Sequence, residues 1–185
     1  AVTWDMVINQ IAKTRYMTNG QVALPLVIRT ANGAGSRFGA QHSQSVENWA
    51  MAVPRLKIVA PSSPADVKGL IAAAIRDPDP VIVFEHKSLY PVKGEVPDGD
   101  YTLELGKLGV VRPGTQLTLI AYSGMVSIAE EAAVEARALG QDRAGFAGRN
   151  KSQARIARAD HPVEHRHSGS FDLSRAGRLI IKYRQ

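Results

Sequence analysis

Between Leu56 and Phe84 the sequence reads "LKIVAPSSPADVKGLIAAAIRDPDPVIVF", and this stretch constrains the fold more than any other. "LKIVA" and "VIVF" are short apolar runs rich in Val and Ile, the composition of strands. Between them Ser63, Pro64 and Asp66 spell a helix start. The serine caps, the proline takes the first helical position, and the acid follows three residues on. The helix "PADVKGLIAAAIR" stops near Asp77, because "DPDP" cannot continue it. Strands that alternate with helices argue for an α/β fold with mostly parallel sheets and flanking helices.

The same alternation runs along the rest of the chain. "WDMVINQIAKTRYM" places Trp4, Val7, Ile8 and Ile11 on one face at helical spacing, with Gly20 as a stop. "VALPLVIR" reads as a strand, "SVENWAMAV" as a short helix, and "TQLTLIAY" and "RLIIKY" as later strands. "VSIAEEAAVEARAL" is an amphipathic helix ended by Gly140. "KSLYPVKGEVPDGDY", rich in Pro, Gly and charge, reads as a linker, with a domain boundary near Val92 to Gly99. No internal repeat is visible.

Composition narrows the function classes. Across 185 residues, 44% are hydrophobic and 22% charged, a globular profile. Apolar runs fall far short of the ~20 residues of a membrane helix, so no membrane role is expected. "AVTWDMVINQ" has no basic start and does not resemble a signal peptide. The absence of cysteine excludes disulfides and cysteine–zinc sites, and fits a reducing compartment. The net charge is +6, and Gln141 to Arg175 holds six Arg and one Lys against four acids, about half of that excess. That basic stretch has only Phe146 and Phe171, too sparse to interleave with its arginines for base stacking, so no nucleic-acid partner is expected.

"NGAGSRFGAQHSQ", Asn32 to Gln44, follows the strand "LPLVIR". Ligands of parallel α/β folds bind at the carboxyl ends of strands, and glycine lets backbone take positive φ angles there. The loop lacks the GK[ST] ending of a P-loop and the spacing of a dinucleotide fingerprint. From residue type alone, His42 is either a proton-transfer group or a loop histidine bonded to backbone.

The longer strings are more specific. "INQIAKTRYM", "LPLVIRTANGAG", "GAQHSQS", "LKIVAPSSPADVKGLI", "AAIRDPDPVIVFEHKSLY" and "GEVPDGDYTLELGK" come in one order over about residues 5–140, and "RAGRLII" follows later. In that order and spacing the chain resembles the β subunit of the thiamine-diphosphate-dependent decarboxylase component of 2-oxo acid dehydrogenase complexes. That group includes the pyruvate, branched-chain and acetoin types. The resemblance implies a transketolase-like fold in two partial domains. Residues 1–92 would be the later part of a pyrimidine-binding domain, and 93–185 part of the carboxy-terminal domain, with 141–172 atypical.

It also implies sites and partners. His42, in "AQHSQ", would lie between the cofactor and the approaching lipoyl arm, as the catalytic residue. Leu26, Ala74, Ile75, Asp77 and Asp79 would hold a potassium-type cation, where a helix end exposes carbonyl oxygens. Relatives often carry an amide where this chain has Asp79. The glutamate that meets the cofactor's aminopyrimidine has no counterpart in this sequence, so no cofactor-binding residue is assigned. Thiamine diphosphate would be shared with an α subunit that holds its diphosphate and magnesium, in an α2β2 heterotetramer that passes acyl groups to a lipoyl acyltransferase. The compartment would be the bacterial cytoplasm or the mitochondrial matrix. This chain alone is expected to be inactive.

Arg29, Arg37 and Glu85 are read as surface charge with no role. His161, His165 and His167 in "HPVEHRH" lack a helix or strand frame and make a poor metal cage. Residues 141–172 contain only Ile156 and Val163 among Val, Ile and Leu, too little apolar surface to order a domain. "RLIIKY" is then expected to find no proper neighbour. A reading-frame shift around "VEHRHSGS" would explain that segment. The rival functions are a deoxyxylulose-phosphate synthase relative, which "GAQHSQS" fits poorly, an acetoin dehydrogenase β subunit, and a non-catalytic fragment that binds an α-subunit partner.

Overall fold

The carboxyl ends of two neighbouring parallel strands carry the region of interest, and a computed structural model describes residues 2–113, 117–138, 156–158 and 178–183. Three strands, β1 (Val27–Asn32), β2 (Lys57–Val59) and β3 (Val81–His86), form one sheet in the order β1-β3-β2. Both pairings are parallel, with Val27 and Lys57 each opposite Val81. β3 is central, and Val81, Ile82, Val83 and Phe84 are all fully buried. A strand covered on both faces must be apolar throughout, which is why "VIVF" shows no alternation.

Alternate residues of β3 serve opposite layers. Ile82 and Phe84 pack with Val7, Ala12, Ala50, Val53, Leu56 and Ile58. Val81 and Val83 pack with Val59, Leu70 and Ala74. Leu70 and Ala74 come from α3 (Pro64–Arg76), which begins as its sequence predicts. Ser63 Oγ accepts the Asp66 N–H at 3.1 Å, and an Asp66 carboxylate oxygen accepts the Ser63 N–H at 3.1 Å. Two otherwise unpaired amides are thereby satisfied, worth about 1 kcal/mol.

The amino-terminal helix differs from expectation. It is a π-helical turn at Met6–Ile11 followed by a separate α1 (Thr14–Met17). The Ala12 N–H donates to the Val7 carbonyl, five residues back. This winding places Val7 and Ala12 together in the core, and Thr14 Oγ1 takes the Gln10 carbonyl at 2.7 Å. Threonine back-bonding of this kind competes with a regular α-helix. The expected face is still used, since Trp4, Ile8 and Ile11 pack on the same core.

The linker is strapped down at its far end. Residues 91–100 are exposed. Leu103 N–H then donates to the Gly69 carbonyl of α3 at 3.1 Å, and Tyr101 OH donates to the Ala65 carbonyl at 2.6 Å. Leu103 and Leu105 pack onto the α3 side of the core.

The second sheet is mixed rather than parallel. It holds β4 (Leu108–Val110), β5 (Leu117–Ala121), β6 (Ile156–Arg158) and β7 (Arg178–Tyr183) in the order β4-β7-β5-β6. β7 pairs parallel with β4 and antiparallel with β5, and β5 pairs antiparallel with β6. "RLIIKY" is therefore central, which corrects the expectation that it lacks a neighbour. Its carbonyls and amides have a strand on each side. β6 includes Ile156, one of the few aliphatic residues of segment 141–172. The remainder of that segment, with its three histidines and the inferred frame shift, lies outside the described residues. The amphipathic helix after β5 is α4 (Met125–Ala138), which buries Val126 and Ala133 against Leu119 and Ala121.

Candidate functional site

β1 ends at Asn32 and β3 at His86, opposite each other in register. The glycine loop leaves from Asn32, and α2 (Glu47–Met51) follows it. Its neck is closed by one hydrogen bond, from the Gly33 N–H to the Gln44 carbonyl at 2.8 Å. Gly33 has φ +86°, a conformation that a Cβ disfavours. Inside the loop Ser43 Oγ donates to the Gly39 carbonyl at 2.6 Å. His42 stands exposed near the far end. Its backbone carbonyl accepts a hydrogen bond from Lys87 Nζ, which follows directly on β3. The imidazole of His42 is thus held at a tied loop and left facing outward, available to a second molecule.

Beneath the loop lies a polar group that sequence reasoning missed. Ile28, Ile82 and Phe84 belong to one core layer, and Asn32 and His86 continue the same strand faces beyond it. Asn32, Glu47 and Ser123 are all at most 3% exposed. Both side-chain polar atoms of Asn32, Oε2 of Glu47 and Oγ of Ser123 are sealed from solvent without a hydrogen-bond partner. Burial lowers the His86 pKa below its ordinary value; Glu47 opposes that shift and Lys87 adds to it. Burial, then the charge of Glu47, pushes the Tyr122 hydroxyl up. The signal was present in "VIRTAN" and "SVENW". Strand alternation carries Asn32 inward from Ile28, and helical spacing sets Glu47 three residues before the buried Ala50.

Arg29 and Glu85 form an ion pair at 2.5 Å, and Tyr90 OH donates to the other Glu85 oxygen at 3.2 Å. The bond and charge of Glu85 raise the Arg29 pKa. The two side chains face each other beside a cavity of 290 Å³ that Ser63 and His86 also line. This is the surface charge pairing expected for them. Arg37 is exposed.

The cation candidates are gathered at the opposite end of the sheet. The Leu26 carbonyl accepts the Val81 N–H at 2.9 Å, and the Ala74 carbonyl accepts the Asp77 N–H at 3.3 Å. Each oxygen keeps a second lone pair. The carboxylates are already served. Lys57 Nζ lies 2.7 Å from both oxygens of Asp77, and Arg15 lies 2.9 Å from Asp79. Burial pushes the Asp79 carboxyl up, but Arg15 and Lys57 outweigh it and hold the pKa below the usual carboxylate value. Ile75 is 64% exposed. The carbonyls suit a monovalent cation, whereas the Asp77 carboxylate is occupied by an ammonium group.

Among the described residues no group of three acidic, histidine or cysteine side chains is placed to hold a metal. The unpartnered atoms of Asn32, Glu47 and Ser123 are sealed and do not open onto a cofactor pocket. Also among the described residues, no helix is long and apolar enough to cross a membrane.

Comparison with known proteins supplies the context. Residues 3–93 match the transketolase pyrimidine binding domain. The chain is 50% identical over 132 residues to the acetoin:2,6-dichlorophenolindophenol oxidoreductase subunit beta of Bacillus subtilis, covering 71% of this chain and 39% of that protein. It is 46% identical over 133 residues to the mitochondrial pyruvate dehydrogenase E1 component subunit beta-2 of Oryza sativa subsp. japonica, covering 70% and 35%. It is 47% identical over 130 residues to the 2-oxoisovalerate dehydrogenase subunit beta of Bacillus subtilis, covering 70% and 40%. The chain spans about two fifths of the length of the curated relatives it matches.

Proposed function

Because the chain belongs with the β subunits of the thiamine-diphosphate-dependent 2-oxo acid dehydrogenases and residues 3–93 carry their transketolase pyrimidine binding domain, we propose that it presents His42 to a cofactor held largely by a partner. The reaction is oxidative decarboxylation of pyruvate or a branched-chain 2-oxo acid, with acyl transfer to a lipoyl domain. The partner is an α subunit, in an α2β2 assembly that works with a lipoyl acyltransferase. Thiamine diphosphate, bound with magnesium by the α subunit, supplies the decarboxylation chemistry. What this chain offers is an imidazole on a loop tied at Gly33 and at Lys87.

The exposed, tethered His42 carries the reading. Imidazole is the side chain that ordinarily exchanges a proton near neutral pH. Opening a lipoyl disulfide leaves a sulfur that needs a proton, which a positioned histidine can give. Domain organisation follows the same reading. Residues 1–92 are the later part of the pyrimidine domain, and 93–185 contribute to the carboxy-terminal domain, whose first described strand starts at Leu108. The Leu26 and Ala74 carbonyls, with Ile75, Asp77 and Asp79 around them, form a potassium-type site in which Lys57 competes for Asp77. The compartment is the cytoplasm of a bacterium or the mitochondrial matrix.

The acetoin-type β subunit is the second reading, favoured by the 50% identity to such a protein. The test is co-expression with an α subunit, followed by carbon dioxide release from pyruvate, branched-chain 2-oxo acids and acetoin-coupled dye reduction. We expect co-purification and activity only in the pair. Carbon dioxide release by this chain alone would contradict a cofactor held by the partner, and failure to bind any α subunit would contradict the assembly.

A further inference from the structure

His86 has no part in the chemistry proposed above, yet it lies against Gly33, at the neck of the His42 loop. A Cβ built on Gly33, the first residue of the neck, would fall 2.2 Å from His86 Cδ2 and 2.3 Å from its Nε2. A Cβ built on Gly124, between β5 and α4, would fall 3.0 Å from His86 Nδ1. The ring therefore packs closely against both glycines. The next residue, Lys87, reaches the His42 carbonyl. The end of β3 thus holds the loop at its neck and near its tip.

The ring's own hydrogen bonds fix its proton. Nδ1 is 3.3 Å from the Ser88 N–H and 2.7 Å from Ser88 Oγ. A backbone N–H can only donate, so Nδ1 accepts and the proton of the neutral ring sits on Nε2. Glu47 from α2 and Lys87, the residue after β3, are the charges that act on the ring, and Asn32 of β1 stands opposite His86 in register. The Arg29–Glu85 pair lines the adjoining cavity. Glu47 favours a charged ring, while burial and Lys87 oppose it.

We propose that His86 is a positioning residue for the His42 loop, its neutral ring wedged between Gly33 and Gly124 so that the neck stays closed. This deepens the functional reading of His42 and rests on it. Protonation at Nδ1 would set its proton against the Ser88 N–H, while Ser88 Oγ can turn to accept it. Because the ring packs directly on Gly33, its displacement carries the neck with it, and the Gly33–Gln44 hydrogen bond yields.

Amide hydrogen exchange on the 185-residue chain tests this without turnover. Protection of the Gly33 amide is compared in wild type, His86→Ala and His86→Asn, from about pH 5 to pH 8. The β3 amides of Val83 and Phe84 report global folding. In His86→Ala at pH 8, Gly33 protection should fall by roughly tenfold or more, because the neck opens locally, while the β3 amides hold. His86→Asn keeps an acceptor for the Ser88 N–H but takes no proton. It should retain protection across the range, whereas wild type loses it on acidification. If His86→Ala unfolds the chain, the comparison of His86→Asn with wild type decides. Equal acid loss of Gly33 protection in those two proteins overturns the proposal, as does unchanged protection in a folded His86→Ala. His42→Ala should leave Gly33 protection intact, so an inert His42 and an inert His86 give different results.

Discussion

Lys57 Nζ sits 2.7 Å from both carboxylate oxygens of Asp77 and 3.5 Å from Asp79, joining the start of β2 to the turn after α3. The same turn holds Asp77 and Asp79 of the proposed cation site, where lysine would compete with a monovalent ion for one carboxylate. Lys57→Met should lower stability by about 1 kcal/mol, a modest figure because the lysine is 40% exposed and solvent screens the pair. It should also enlarge the rise in melting temperature given by potassium over a larger inert cation at constant ionic strength. Asp77→Ala should abolish that difference. Equal melting curves in both salts for Lys57→Met would remove the cation from this turn.

Gly69 lies mid-helix in α3, where alanine would ordinarily stabilise by roughly 1 kcal/mol. Here the added Cβ would stand 2.7 Å from Leu103 Cγ and 2.7 Å from the Tyr101 ring. Either the strap of residues 101–105 shifts or the helix does. Gly69→Ala should therefore destabilise, by about 1–3 kcal/mol as an overpacked site. A chemical denaturation curve decides the sign, and stabilisation would show that the strap gives way freely.

How much of this was legible depended on whether local chemistry or distant contacts set each feature. Ser63, Pro64 and Asp66 act on one another within four residues, and α3 starts where they say. The uniform "VIVF" run and the face of Trp4, Val7, Ile8 and Ile11 also report their own burial. The antiparallel place of "RLIIKY" depends on strands far away in sequence, which no local pattern encodes. At the candidate site, His42 was found through the strings around it. His86 was not, because its importance comes from Gly33 and Gly124, one on each side of the chain. Glu47 lies in a short helix, "SVENWAMAV", whose length gives no sign that a charged residue in its first turn is buried.

His42→Ala, placed in the assembled α and β subunits, should slow lipoyl acylation by about 10²–10⁴-fold, the usual worth of a proton-transfer group. Cofactor affinity should change little, since the exposed imidazole is held by its backbone and not by a cofactor pocket in this chain. The measurement is acyl-lipoyl formation alongside thiamine diphosphate titration. An equal loss in both would make His42 a binding residue instead.

The last prediction follows from two separate protonation windows. Burial holds the folded pKa of His86 below its ordinary value. An unfolded imidazole titrates near pH ~6.5, so between the folded value and that pH the unfolded chain binds more protons. The contribution of His86 to stability is then complete above ~6.5 and is lost as pH falls through the folded value. Asp79 is also depressed, by Arg15 and Lys57 acting against burial, but relative to an unfolded carboxyl near ~3.9. Its contribution is complete above that pH and is lost as pH falls through its lower folded value. Melting temperature against pH should thus fall in two stages. His86→Asn should flatten the first and leave the second, and Asp79→Asn should do the reverse. If His86→Asn follows the wild-type curve from neutral to mildly acid pH, the half-buried ring does not govern that first loss.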